Sequence, residues 1–353
     1  MKRRTILALP WLALATRLRA QSFPVVRAGV ALSFPRDHGA HQDFRTEWWY
    51  ITGWLATRDR EVGFQLTFFR TRPGVAEQSS SRFAPRQLMF AHAAIADPEH
   101  GRLRHDQRAA RAGLNLAGAD ENATHAWIDD WSLRQDGNDY SASLPARGFS
   151  LALRCSAANP VLLQGDHGYS RKGPRPEQAS YYYSRPQLET TGRIDIGNNR
   201  FDVTGRAWLD HEWSSEYLAP GAVGWDWLGV NLDDGGAVMA FRIRDAQGAT
   251  MWAGGALRSA NGGDRTLGVD DIRFTPGRVW TSPRTSIGYP VEFAVDVDGV
   301  TYTVAPMMDD QELDSRLSTG TVYWEGAVTL LREGRRVGRG YLELTGYGGA
   351  LRI

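Results

Sequence analysis

The chain has 353 residues, 42% hydrophobic and 23% charged, with a formal charge of +1 and one cysteine, Cys155. That length supports two domains, each with its own core. A single thiol excludes an internal disulfide framework, and the balanced charge gives no basic surface for nucleic acid.

Residues 1–20 combine a Lys2-Arg3-Arg4 head, an apolar run from Thr5 to Thr16 broken by Pro10, and Ala20 before Gln21. This is the pattern of an export signal, predicting a mature protein that starts near Gln21 and is periplasmic or secreted. Arg3-Arg4 leaves the twin-arginine route open beside the general one. The apolar run is shorter than the roughly 20 residues of a membrane span. Cleavage removes five basic side chains and takes the formal charge from +1 to −4.

From there period-two alternation dominates. Trp48, Tyr50, Thr52 and Trp54 share one face and Trp49, Ile51 and Leu55 the other, and 61–70 alternates likewise after a short connection, predicting a hairpin. Further strands are predicted at 88–96, 125–133, 148–155, 192–196, 201–213, 225–232, 237–244, 251–257, 291–297, 301–305, 321–331 and 339–347. Asp136-Gly137, Gly197-Asn198, Asp233-Asp234-Gly235 and Asp298-Gly299 separate them as turns. The best helix candidate is a short one around Asp309–Leu317.

Gly205-Arg206-Ala207-Trp208-Leu209-Asp210-His211 returns near the C-terminus as Gly338-Arg339-Gly340-Tyr341-Leu342-Glu343-Leu344. Weaker echoes join Gly192–Ile196 to Gly326–Leu330, and Trp49–Leu55 to Trp225–Leu232 around Gly53 and Gly229. The repetition suggests a duplication. The expected fold is all-β, with two antiparallel barrels in tandem and few short helices: residues 21–218 form the first domain and 219–353 the second. Barrels of about eight strands can enclose one small ligand.

Four blocks, His41–Tyr50, Gly165–Gly173, Ala179–Ser184 and Trp208–Trp213, resemble in sequence and order the carotenoid hydratase (hydroxyneurosporene synthase) and AttH-like family. The resemblance implies two lipocalin-like barrels but not by itself carotenoid chemistry; the expected occupant of their cavity is an elongated hydrophobic ligand such as an isoprenoid, polyene or lipid. Exported relatives carry labels such as predicted secreted hydrolase, and some are associated with export transporters. For the hydratases it implies a His-x-Trp pair, here His211 and Trp213, and a Tyr-x-Asp pair one strand later. The corresponding strand, Ala237–Ile243, has Phe241 and no carboxylate two residues on.

Hydration of an isolated alkene needs a proton donor, an electron-rich wall for the cation and a base for water. If 201–213 is extended, His211 and Trp213 share one face and look into one cavity. Glu47 and then Asp226 are candidates for the missing acid, with Trp49, Tyr50, Tyr182, Trp225, Trp227 and Phe241 as ligand-binding walls. The alternatives are structural: Glu47 pairing with Arg45 or Arg70, a hydrogen-bonded core His211, and Asp210 in an ion pair with an arginine because it recurs as Glu343. His38 and His41 fit no standard metal spacing and read as a solvated loop. Ser170 reads as a turn or cavity mouth, with Arg171 and Lys172 facing an anionic head group. No metal or cofactor is expected, and no nucleophile elbow or phosphate loop occurs. Two functions stay open: a cofactor-free hydratase or isomerase acting on a C=C bond, and a non-catalytic hydrophobic-ligand carrier or transporter accessory. The chamber lies in the first barrel or in the cleft between barrels.

Overall fold

The computed structural model describes residues 23–75 and 77–351, so the predicted export signal lies outside the described residues. The first half contributes β1 (Thr46–Ala56), β2 (Glu61–Thr71), β3 (Leu88–Ala96), β4 (Arg104–Arg111), β5 (Ala117–Ala119), β6 (His125–Ile128), β7 (Trp131–Asp136), β8 (Asp139–Ala146), β9 (Phe149–Ser156), β10 (Leu162–Leu163), β11 (Tyr169–Arg171), β12 (Ala179–Ile196) and β13 (Asn199–Ser214). They form one antiparallel sheet in the order β4-β3-β2-β1-β13-β12-β9-β8-β7-β6-β5, with β10 and β11 on β12. β4, at one edge, packs against β5 and β6 at the other, and Arg108 of β4 donates to the Ile128 carbonyl of β6 at 3.2 Å. The two edges therefore return to one another, and the sheet is a nearly closed barrel.

The second half contributes β14 (Ala222–Leu232), β15 (Ala237–Asp245), β16 (Thr250–Arg258), β17 (Asp264–Leu267), β18 (Ile272–Pro276), β19 (Val279–Thr281), β20 (Gly288–Pro290), β21 (Phe293–Val297), β22 (Val300–Pro306), β23 (Glu312–Asp314), β24 (Val322–Arg332) and β25 (Arg335–Leu344). Its sheet runs β17-β16-β15-β14-β25-β24-β22-β21-β18, with β23 on β24; β19 and β20 pair separately. Among the described residues the helical segments are two three-residue 3-10 turns.

Some expectations are corrected. The predicted strand 125–133 is two strands, because Asp129 turns the chain at a φ of 53°. Asp309–Leu317 holds no helix: β23 pairs with β24, and the Gln311 side chain bonds the Met308 and Ala327 carbonyls and the Ala327 N–H. Sheet pairing outweighs the costly nucleation of so short a helix. The closing-strand echo keeps its register, with Tyr50 opposite Asp210 and Trp227 opposite Glu343. The opening-hairpin echo does not, since Gly53 faces Ala207 whereas Gly229 faces Tyr341, one residue later. A one-residue slip exchanges the two faces of a strand, so Tyr50 corresponds to Trp227 rather than to Asp226.

The first barrel is filled by Trp49, Phe64, Phe68, Trp131, Tyr140, Tyr183 and Trp213 among others, and the second by its own cluster around Trp324. A third cluster, including Tyr50, Tyr182, Trp208, Trp227, Phe241, Tyr323 and Tyr341, lies between the sheets. The aromatic residues on both faces of β1 are thus divided between a barrel interior and the inter-barrel core. At the β1–β13 seam, a Cβ on Gly205 would stand 1.9 Å from the Trp54 carbonyl oxygen. Gly205→Ala must push these strands apart, an overpacking cost of about 1–3 kcal/mol, read as a lower midpoint in thermal unfolding; an unchanged midpoint would mean that the seam tolerates a methyl group.

Candidate active site

β13 sends alternate residues to opposite sides. Leu209, His211 and Trp213 enter the first barrel, while Trp208, Asp210 and Glu212 face the second domain. Inside the barrel, Arg185 donates to His38 Nε2 at 3.1 Å, and His38 Nδ1 lies 2.8 Å from the Tyr183 hydroxyl. That hydroxyl is 3.1 Å from His211 Nδ1, and His211 Nε2 is 2.9 Å from Glu47 Oε1. A single ordering of protons satisfies every link: Arg185 donates to His38, His38 to Tyr183, Tyr183 to His211, and His211 to Glu47.

Burial pushes His38 down to about 3 and His211 down to about 4, so both rings are neutral at pH 7. Glu47 is buried too, but the Arg70 guanidinium at 2.8 Å and the two imidazoles hold it well below the usual carboxylate range. His41 is raised despite burial, because it bonds both Asp37 and Glu47. Trp213 stacks on His41 at 3.6 Å and Trp49 on His211 at 4.7 Å.

The barrel interior therefore differs from the expectation of an imidazole and an indole lining a chamber. His211 is fully inaccessible and both of its nitrogens are occupied. Trp49 and Trp213 pack against rings. Glu47 borders the inter-barrel cavity but makes the cross-hairpin pair with Arg70. His38 is buried rather than in a solvated loop. His41, Glu47 and His211 bring three ligand-type atoms within 4.8 Å. Those atoms already bond one another, and the adjacent guanidinium opposes a cation, so the set does not fit a metal.

The cavity lies on the other side of β13, between the barrels. It has a volume of about 300 Å³, and its walls include Trp48, Tyr50, Tyr182, Tyr217, Trp225, Trp227, Phe241 and Tyr323. Of the expected ligand-binding residues, Tyr50, Tyr182, Trp225, Trp227 and Phe241 meet here. Asp226 does not: it points into the second barrel, fully buried, and bonds Arg242 at 2.7 Å and Arg244 at 2.8 Å. Side-chain alternation separates it from Trp225 and Trp227 on either side.

Besides Glu47, four carboxylates line this cavity: Asp210, Glu212, Glu325 and Glu343. Asp210 has no arginine partner, contrary to expectation. It accepts from Tyr182 at 2.7 Å, Ser184 at 2.5 Å and Trp208 Nε1 at 2.7 Å, yet burial raises it to about 7. Glu212 pairs with Lys172 at 2.9 Å and accepts from Ser180. The Lys172 ammonium sits 4.1 Å from the Phe241 ring centre, and burial lowers its pKa, so its charge is already matched by Glu212 rather than free for a head group. Arg171 stacks on Trp252. Glu325 accepts from Tyr50. Burial, with the charges of Asp210 and Glu212, raises Glu343 to about 7. Asp210, Glu212, Lys172, Glu325 and Glu343 were missed as a site; the acid common to both closing strands was the available signal.

Glu47→Ala would strand Arg70 and two imidazoles, a loss of about 3–5 kcal/mol visible in denaturant unfolding. His211→Leu should remove an acid-sensitive component of stability. A depressed imidazole favours the fold above the unfolded value of 6.5, and that contribution is lost as pH falls towards about 4. If the variant and the parent keep parallel pH–stability curves across this window, the neutral assignment of His211 is wrong.

The AttH-like family profile matches residues 25–347. A crystal structure of an AttH candidate from Nitrosomonas europaea is 50% identical, covers 92% of this chain and 99% of its own, and superposes with a TM-score of 0.86. Kievitone hydratase from Nectria haematococca shares the fold at 13% identity, covering 92% of this chain and 96% of its own, with a TM-score of 0.69. CghA with Sch210972 also shares it at 13% identity, covering 86% and 89%, with a TM-score of 0.53. No curated protein sequence matches. The chain is all-β and belongs to the AttH-like family.

Proposed function

We propose that this protein is exported and binds an elongated hydrophobic molecule, an isoprenoid or lipid, in the cavity between its barrels. There it adds water across a C=C bond or shifts that bond, without a cofactor. The observation that carries the reading is a buried carboxyl, Asp210, poised near neutrality among aromatic rings. Proton transfer is most efficient when the group's pKa lies near the working pH. Rings such as Trp227 and Tyr182, joined by a 3.1 Å hydrogen bond, offer electron-rich faces to a developing cation.

A volume of about 300 Å³ is at the low end for ligand pockets, which span roughly 300–1,000 Å³. It suits one segment of a long molecule, with the remainder leaving past Ser318 and the exposed Thr319 at the rim. The sequence-level export pattern and the resemblance to transporter-associated proteins support a periplasmic setting and a transporter partner. A carrier function is the second reading, favoured by the three donors that already satisfy Asp210. The fold shared with a hydratase is compatible with both readings, because a fold does not determine chemistry.

Native mass spectrometry of protein from its own periplasm, followed by extraction, should yield a co-purifying isoprenoid or acyl compound. Asp210→Asn should retain that compound while lowering its turnover roughly a hundred- to ten-thousand-fold. Retention with unchanged turnover excludes Asp210 chemistry, and an absence of any apolar molecule argues against the binding reading.

Stability gives an independent check. Because burial raises Asp210 from 3.8 to about 7, its favourable contribution is complete below 3.8 and is lost as pH rises through 7. Asp210→Asn should therefore gain stability relative to the parent between about pH 4 and 7. A constant difference across that range would contradict the raised value.

A further inference from the structure

We propose that Glu325 and Glu343 form a carboxyl dyad holding one proton, and that Glu343 delivers this proton to the substrate while Asp210 on the opposite wall receives one from water. The inference rests on the hydration reading above. It begins with register: Glu325 and Glu343 are direct cross-strand partners on β24 and β25, and both face the cavity. Directly opposed side chains lie about 5 Å apart at Cβ. Two like charges at that spacing, out of bulk water, cannot both ionise readily.

No compensating cation reaches them. The Lys172 ammonium is committed to Glu212, His92 bonds Tyr323 and Ser318 as a neutral ring, and the other acidic neighbours, Asp210 and Glu212, reinforce proton retention. Burial and the charge of Glu343 raise Glu325 well above the ordinary carboxylate range despite the bond it accepts from Tyr50 of the first barrel, so the proton belongs to the pair. Each carboxyl accepts one bond, Glu325 from Tyr50 and Glu343 from Trp225, so access to the cavity decides which of them passes the proton on. Glu325 is 1% exposed, whereas Glu343 is only partly buried and lines the cavity. Glu343 is therefore the member that passes the shared proton to the substrate, and Glu325 supports it. Asp210, which has three donors and no adjacent carboxyl across its own strand pair, is the group better suited to act as a base.

The two groups occupy matching places. Asp210 stands opposite Tyr50 on the closing strand of the first barrel, and Glu343 opposite Trp227 on that of the second. Each domain thus supplies one member of the proposed donor and acceptor pair from the same position of its closing strand. In the step, the Glu343 O–H bond breaks as a C–H bond forms at one alkene carbon, leaving a cation at the other. Water oxygen bonds that carbon, and the surplus water proton passes to the Asp210 carboxylate. Alkene and water become an alcohol, and the proton returns from Asp210 to Glu343 through cavity water.

The test combines a substrate-free titration with a proton-delivery assay on the full mature chain. With carbon-13 at glutamate carboxyls, NMR should show one glutamate still protonated at about pH 6, well above the ordinary range; its signal is absent from Glu343→Gln. Glu325→Gln should lower its midpoint by a unit or more, a tenfold or larger fall in proton affinity. Farnesol in D2O then serves as the alkene probe, with tryptophan quenching to read binding. The parent should incorporate deuterium at an alkene carbon, and Glu343→Gln should bind equally but incorporate it at least about a hundredfold more slowly. Should Glu343→Gln fail to fold, the midpoint shift and deuteration rate of Glu325→Gln carry the test. Glu343 ionised at pH 6, or a midpoint indifferent to Glu325→Gln, overturns the dyad. A normal dyad with undiminished deuteration in Glu343→Gln overturns only the donor assignment. A normal dyad in a parent that neither binds nor deuterates farnesol overturns the alkene reading and the donor role with it.

Discussion

The period-two geometry of β13, with one strand serving two environments, fixes the chemistry available to this molecule. Its inward residues complete the interior of the first barrel, and its outward residues form a wall shared with the second. Because an extended strand alternates strictly, His211 and Asp210 cannot face the same space. The apparent motif Asp210-His211-Glu212-Trp213 is therefore two separate groups of residues interleaved in sequence.

The two sides treat buried charge in opposite ways. Inside the barrel, Glu47 has Arg70 and a proton-ordered series of donors, so it remains ionised and fixes the segment 36–47 against β12 and β13. Between the barrels, carboxyls outnumber cations, and Lys172 is the ammonium paired there with Glu212. Desolvation without compensation moves Asp210 and Glu343 towards neutrality. Matched charge gives a scaffold, and unmatched charge gives groups able to exchange protons at physiological pH.

Much of the fold was legible because alternation and turn chemistry are local. The opening hairpin, the all-β class and the closing-strand echo could be read from residue order alone. Strands such as β4, with Arg104, His105, Asp106, Gln107 and Arg108, were not legible, since almost no apolar alternation marks them. The aromatic lining was also partly legible, through Tyr50, Tyr182, Trp225, Trp227 and Phe241. The carboxyls were not, for a physical reason: whether an acid meets an arginine depends on pairing across the sheet. Asp226 meets two guanidinium groups, while Asp210 meets hydroxyls and an indole. Nothing within either residue's own strand distinguishes those outcomes.

The central claim is that an apolar ligand enters between the barrels and not within the first one. Photolabelling with a long-chain fatty acid carrying a diazirine, followed by peptide mapping, tests this most directly. The account predicts adducts on the strands bearing Trp48, Trp225, Trp227 and Phe241, with labelling competed by unmodified fatty acid. Competed adducts confined to interior residues such as Trp131, Tyr140 or Phe64, with none on β14 or β15, would contradict it.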